Sequence, residues 1–245
     1  MTLPLLHPDW KAPAGVHACF TLRSGGASAP PYESLNLGAH VGDDPFAVAE
    51  NRRRVAQTLS LPSAPCWLRQ VHGTGVHEAE VAGSGGEADA AITRRAGVVL
   101  AIQVADCLPV LLAADDGTVL GAAHAGWRGL AAGVIERTVG RMGCSPTRLV
   151  AWLGPCIGPQ QFEVGEEVRE AFRVAGDPPE AFRPSPGGRW LCDLPAIART
   201  RLQRLGVERV VGGGWCTVAD PVRFFSHRRD RLTGRMAALL WRDVL

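Results

Sequence analysis

A cysteine and a histidine flanking one apolar hairpin are the first residues of this chain that could do chemistry. Residues 109–113 and 118–124 (TVLGAAH) read as buried strands joined through Asp115-Asp116-Gly117. Asp-Gly between apolar runs is a strong hairpin signal. A two-residue turn at Asp116-Gly117 pairs residues whose numbers add to 233. Cys107 then faces Gly126 and His124 faces Pro109, which makes Cys107 and His124 diagonal neighbours within ~8 Å at the backbone. A three-residue turn would put them on opposite faces unless a bulge restored the parity. Taken singly, a free Cys and an apolar-strand His are commonly core residues. Together at a strand end, beside Asp106, they point to chemistry. Ala-Gly-Trp-Arg-Gly follows His124, where strand must give way to helix. The free N–H groups of such a turn suit an anion, and Arg128 adds positive charge beside them.

His72, in Gln-Val-His-Gly just after an extended stretch, is a third candidate. Two imidazoles and one thiolate at strand ends would make a catalytic zinc shell, because three protein ligands leave a fourth position for water or substrate. His77 lies five residues further on, and nothing in the spacing requires it to face the same way; an exposed or supporting place is expected for it.

The elements that must position these groups are partly legible. Residues 23–45 are crowded with Gly, Pro, Ser and Asn, yet Tyr32, Leu35 and Leu37 give them something to bury, so they read as an ordered loop. A helix is expected over 47–59, an extended stretch over 66–70 and a buried strand over 97–105 (GVVLAIQVA). Leu130, Val134, Ile135, Val139 and Met142 have helical spacing, which predicts one helix over 129–142 with Gly143 as its stop. A strand over 148–153 runs into GPCIGP, and a helix is expected over 163–174. Asp193 can N-cap another helix, with Pro195 in its first turn and Gly206 at its end. Strands over 208–211 and 236–241 close the chain. The alternation lacks the strict period of a doubly wound sheet, so the expected class is mixed-sheet α/β or α+β, in one domain over 1–245.

Composition removes whole classes of function. With 245 residues, 46% apolar and 20% charged, the chain can fill a core and is not disordered. Lys+Arg total 26 and Asp+Glu 24, and a formal charge of +2 is too balanced to advertise nucleic acid or an anionic membrane as partner. Lys11 is the only lysine, so there is no Walker A loop and no buried lysine for Schiff-base or pyridoxal chemistry. Residues 83–88 match a dinucleotide fingerprint by letter, but no helix pattern follows, so they read as a loop. Seven cysteines without a C-x-x-C pair argue for a reduced, cytoplasmic protein rather than a disulfide framework. The N-terminus lacks the pattern of a signal peptide, and no apolar run approaches the ~18 residues of a membrane span.

Several segments together carry a resemblance. RQVHGTGVH (69–77), ADCLPVLLAADDGTVLGAAHAGWRG (105–129), LGPCIGP (153–159), FFSHRRD with Thr-Gly-Arg (224–235), and the block over 25–54 are similar to the laccase-domain or multicopper polyphenol oxidase proteins. Members of that family are also read as zinc-dependent purine nucleoside phosphorylases, and some as peptidoglycan editing factors. The resemblance implies His72, Cys107 and His124 as zinc ligands. It implies phosphorolysis of adenosine, inosine and S-methyl-5′-thioadenosine to free base and ribose 1-phosphate, with deamination of adenosine besides. It also implies a four-layer α/β/β/α fold with mixed sheets, similar to toxin deamidases of the cytotoxic necrotizing factor kind. The pattern departs at His227, where a Tyr is common.

Under this reading Asp106 would shuttle a proton, or else orient His124 or His72. Arg52, Arg128 and Arg228 are candidates to cradle phosphate, Arg128 foremost because of its place on the Gly126–Gly129 turn. Gln70 would hydrogen-bond base or ribose, or else sit at the surface. Cys156 would fill a tight turn. Copper at the same ligands, giving a polyphenol oxidase, is an alternative, since copper(II) outcompetes zinc at nitrogen and sulfur. A conventional laccase is not expected, because the seven histidines form no His-x-His pair. The same residues also admit a metal-free hydrolase with Cys107 as nucleophile and His124 as base, and the resemblance admits a peptidoglycan-precursor factor.

Overall fold

The computed structural model describes residues 3–81, 83 and 85–244. In chain order it begins with β1 (Leu5–Leu6), β2 (Val16–Thr21), α1 (Pro45–Thr58), β3 (Cys66–Trp67), β4 (Val76–Glu78), β5 (Ala90–Thr93) and β6 (Leu100–Val104). The central hairpin, β7 (Leu108–Ala114) and β8 (Leu120–Ala125), leads into α2 (Trp127–Ala131), α3 (Val134–Met142) and β9 (Leu149–Leu153). Then come β10 (Glu163–Val164), α4 (Glu166–Val174), β11 (Phe182–Ser185), β12 (Arg189–Cys192) and α5 (Leu194–Arg204). β13 (Arg209–Gly212), α6 (His227–Asp230) and β14 (Met236–Arg242) follow.

The strands form mixed sheets, ordered β1-β2-β14-β6-β3 and β13-β9-β7-β8-β5-β4, with a small third sheet β10-β12-β11. The expected α/β, α+β class with mixed sheets is what the chain adopts. β7 shows why its sequence is an unbroken apolar run. Leu108, Val110, Leu112 and Ala114 face a core shared with α3, α4 and α5, while Leu111 and Ala113 face the core between the two large sheets. A strand buried on both faces has no polar positions to alternate with. On the far side of the five-stranded sheet, Cys19, Ala101, Ala237 and Leu239 pack against Val55 of α1 and against Leu35 and Leu37 of the ordered loop.

The hairpin register is the one read from the sequence: Leu108 pairs with Ala125 and Pro109 with His124. The loop is wider than a two-residue turn, because Ala114 N–H bonds Val119 rather than continuing the ladder to the Asp-Gly pair. It stays centred between Asp116 and Gly117, so the parity is preserved.

Some expectations need correcting. The single helix over 129–142 is two helices, because Gly133 takes φ +94 between them, a left-handed conformation that glycine adopts at little cost. The helix over 163–174 starts only after Gly165, since Glu163 and Val164 pair with Leu191 and Trp190 of β12. The helix expected from 47 begins at Pro45, with the Asp44 carboxylate accepting from Phe46 N–H. Asp193 caps α5 through Ala196 N–H, and Gly143 ends α3, both as expected. Of residues 83–88, Ser84 lies outside the described residues; Gly86 and Ala88 bond Arg69 in an extended pairing, and no helix follows.

Candidate metal centre

Cys107 stands one residue before β7, and His124 lies near the end of β8, directly across from Pro109. Their side chains meet on the face of the hairpin that looks between the two large sheets. His72 comes from the loop after β3. Its Nε2 lies 3.8 Å from Cys107 Sγ, and its ring packs edge-on to that of His124 at 4.8 Å between centroids. One ligand atom from each of His72, Cys107 and His124 lies within 4.8 Å of the other two.

Two glycines make this convergence sterically feasible. A Cβ on Gly126 would sit 2.9 Å from Cys107 Sγ and 3.1 Å from His72 Cδ2, filling the space the three donors share. A Cβ on Gly129 would strike the Gly73 carbonyl at 2.8 Å and push the His72 loop away. The Ala-Gly-Trp-Arg-Gly turn therefore serves close approach of chain segments as well as helix initiation.

Asp89, at the start of β5, organises the group. It is fully buried. One carboxylate oxygen accepts from His124 Nδ1 and His72 N–H, both at 2.8 Å. The other accepts from Val71 N–H at 3.1 Å and Gly73 N–H at 2.7 Å. A carboxylate only accepts here, so the proton sits on His124 Nδ1 and Nε2 is turned to the shared space. The three backbone bonds among these hold His72 at φ +61, a left-handed conformation unusual outside glycine. Burial would raise the Asp89 pKa, but the His124 and backbone donors outweigh it and hold the carboxyl below its usual range. Burial would likewise raise the Cys107 thiol, yet the His124 and His72 rings bring it down to about 6. Against the cost of its own burial, the Cys107 thiolate and Asp89 lift the His124 imidazole to about 9. Thiolate and imidazole donors with an oriented ring and an open side suit a borderline divalent ion such as zinc or copper.

Asp106 does not orient either histidine. Held at φ +93, it accepts from Thr217 Oγ1 and from Arg228 N–H, both at 2.6 Å, and so fixes the bend that aims Cys107. The orienting carboxylate is Asp89, which sequence reasoning missed. Gln70 lines the cavity at the metal group, and its side-chain amide stands in for a strand neighbour, Nε2 donating to the Gln103 carbonyl and Oε1 accepting from Gln103 N–H, both at 2.8 Å. Arg52 is bound to the Leu37 carbonyl and stacks 4.2 Å over Trp67; it does not line the cavity, contrary to the expectation of a phosphate ligand there. His77 sits on β4 away from the group. Cys156 is buried in its turn, as expected.

Two cavities meet at the centre. The larger, of about 340 Å³, is lined by His72, Cys107 and His124 together with His40, Arg128 and Arg235, and no carboxylate lines it among the described residues. The smaller, of about 160 Å³, is walled by Trp127, Ile157, Phe162 and Leu194, with Asp106 and Arg228 at its side. Ala105, Cys107 and His227 line both. His40 and Arg235 fall within segments that carry the family resemblance, but nothing in the sequence assigns them to the site; they lie almost 200 residues apart, and bonds from Leu37 N–H to the Arg235 carbonyl and from Arg235 N–H to Asn36 tie their segments together.

Residues 17–243 match the model of the family described as multi-copper polyphenol oxidoreductase laccase. The chain belongs to that family. Purine nucleoside phosphorylase YfiH of Escherichia coli (strain K12) is 49% identical over 240 residues, spanning 97% of this chain and 98% of that one. Purine nucleoside phosphorylase PA4543 of Pseudomonas aeruginosa is 53% identical over 238 residues, spanning 96% and 97%. Among solved structures, Neisseria meningitidis protein NMB0706 superposes with a TM-score of 0.92 at 47% identity, covering 98% of this chain and 99% of that one. YlmD from Geobacillus stearothermophilus does so with 0.88 at 33% identity, covering 98% and 100%. These relatives support an enzyme, and the activity in their names is that of a phosphorylase rather than of a hydrolase. No helix among the described residues is long and apolar enough to cross a membrane.

Proposed function

We propose that this chain is a cytoplasmic, zinc-dependent purine nucleoside phosphorylase, acting on adenosine, inosine and S-methyl-5′-thioadenosine. The observation that carries this reading is a His-Cys-His donor set opening on a cavity lined by Arg128 and Arg235, neither in a described ion pair, and free of carboxylates among the described residues. In the reaction a phosphate oxygen bonds to C1′ of the ribose as the glycosidic C–N bond breaks. The bonding pair leaves with the purine, which takes up a proton, giving free base and ribose 1-phosphate.

His72, Cys107 and His124 would hold the ion, and Asp89 would keep His124 in its ligating tautomer. When bound, zinc supplies Lewis acidity at the position three protein ligands leave open. Arg128 keeps its guanidinium 4.4 Å over the Trp127 ring and stands at the cavity, suited to draw in phosphate. Arg228 belongs to the smaller cavity, where its side chain bonds the Glu163 carbonyl at 3.0 Å. With Asp106 held by Thr217 and Arg228, deamination of adenosine would need its proton carrier elsewhere, and phosphorolysis is the principal activity of this reading.

The family description favours copper as a second occupant, which metal analysis of protein purified without added copper would decide. The layering of α1, two large sheets and α2–α5 supports a single domain of the four-layer α/β/β/α kind, akin to toxin deamidases of the cytotoxic necrotizing factor type. The test of function is incubation of zinc-loaded protein with inosine and phosphate. Hypoxanthine and ribose 1-phosphate in equal amounts are expected, and their absence would refute the reading.

A further inference from the structure

Arg235 presents a half-buried guanidinium to the larger cavity. Its side chain donates only to the Thr233 and Gly234 carbonyls, through a single nitrogen, Nη1. No described carboxylate forms an ion pair with it or with Arg128. The position is built rather than incidental. Arg235 N–H is pinned by the buried Asn36 amide oxygen at 2.8 Å, and Gly38 lacks the Cβ that would strike Arg235 Cγ at 2.7 Å. Burial lowers the Arg235 pKa, and the negative charges of Cys107 and Asp106 nearby offset this only in part. Gln103, only 5% exposed, lines the same cavity with a side-chain oxygen that has no partner. An unpaired guanidinium facing a cavity with an unpaired acceptor nearby fits a tetrahedral oxyanion that still carries a proton.

The smaller cavity has the opposite character. Trp127, Phe162, Ile157 and Leu194 give it apolar and aromatic walls, and its only described carboxylate, Asp106, is already occupied. Such walls take a flat, weakly polar ring far better than an ion. Cys107 and His227 lie on the boundary. The carbonyl of Arg231 can only accept from His227 Nδ1, at 2.7 Å, so in the neutral ring Nε2 is left as an acceptor at that boundary.

Building on the phosphorylase reading, we infer that the two cavities divide the substrates: inorganic phosphate binds in the larger one on Arg235 and Arg128, the purine base binds in the smaller one against Phe162 and Trp127, and the ribose bridges the boundary at Cys107 and His227. Arg235, which no sequence pattern marks as a phosphate ligand, becomes the phosphate-determining residue, and Phe162 a base-determining one.

Calorimetry on zinc-loaded protein, with phosphate alone and hypoxanthine alone as probes, tests this without turnover. In the wild type, saturating hypoxanthine should leave the phosphate Kd within about twofold, as for independent sites. Arg235→Met should weaken phosphate about tenfold or more and leave hypoxanthine unchanged. Phe162→Leu should weaken hypoxanthine by about threefold to tenfold and leave phosphate unchanged. Melting curves confirm that each variant is folded, and the wild-type competition experiment needs no variant at all. Competition between the two ligands, equal loss of both in either folded variant, or failure of either ligand to bind would overturn the inference. Separate binding without phosphorolysis would uphold the division of the cavities and refute the phosphorylase reading alone.

Discussion

Replacing Asp89 with Asn removes one charge and one acceptor from the point where the metal centre is assembled. The carboxylate satisfies four donors, two on each oxygen. An amide has one oxygen, so at best it keeps His124 Nδ1 and His72 N–H and turns its NH2 toward the N–H groups of Val71 and Gly73. Two part-buried donors then face a donor, at up to ~1–3 kcal/mol each, which sums to at most ~2–6 kcal/mol. The loop can relieve part of this by moving away, but that carries His72 out of ligand range. We therefore expect Asp89→Asn to lower zinc affinity about tenfold to hundredfold, the range seen when groups supporting metal ligands are lost. It should also destabilise the metal-free protein by several of the ~5–15 kcal/mol that hold a typical domain folded. Competition with a chromogenic chelator gives the affinity, and urea unfolding of the metal-free protein gives the stability. A variant with wild-type zinc affinity and an unchanged unfolding midpoint would refute the role assigned to Asp89.

Further predictions address separate parts of the structure. Gly126→Ala places a methyl group 2.9 Å from Cys107 Sγ; overpacking of ~1–3 kcal/mol should lower zinc affinity about tenfold or more while circular dichroism stays wild-type. In metal-free protein the Cys107 thiol is held down to about 6 by His124 and His72, against the upward push of its burial, whereas burial pushes Cys19 up to about 12 and Cys66 up to about 11. Iodoacetamide should therefore label Cys107 selectively at neutral pH. Its rate should climb with pH through a midpoint near 6 and then level off, read by peptide mass spectrometry. His124→Ala removes the leading stabiliser of the thiolate, so the midpoint should move up toward the ordinary thiol value. Far from the centre, Arg201 is buried and bonds Asp177 at 2.8 Å and the α2 carbonyl of Leu130 at 2.6 Å. Asp177→Ala leaves that cation only the half-exposed Glu136 carboxylate at 3.1 Å and should cost about 1.5–3 kcal/mol in denaturant unfolding, with zinc stoichiometry unaltered in the folded fraction.

The pairing of Cys107 with His124 is legible in the sequence because hairpin register depends on parity. The four-residue span from Asp115 to Thr118 has the same centre as a two-residue Asp-Gly turn, so the register is unchanged. His72 is legible as a residue type at a strand end, but not its distance from the hairpin, which the Asp89 bonds and the Gly129 contact determine. Asp89 is hard to find because its partners lie 16 to 18 and 35 residues away. Its one local signal is position, a carboxylate immediately before the fully buried Ala-Ala-Ile-Thr strand. Gly133 is hidden inside a good helical pattern, since apolar spacing of 3.6 survives a one-residue break when both pieces pack on the same core. Arg235 cannot be told from the other arginines by composition. What distinguishes it is a half-buried place on the cavity at the metal group without an ion pair, and that is visible only once neighbours are in place.

The most direct measurement is phosphorus NMR of zinc-loaded protein mixed with inosine and inorganic phosphate, run beside Cys107→Ala prepared identically. A ribose 1-phosphate resonance growing in step with hypoxanthine in the wild type, and absent in the folded variant, is the predicted result. Inosine consumed without any new phosphate ester, or equal turnover by Cys107→Ala, would contradict a phosphorylase built on His72, Cys107 and His124.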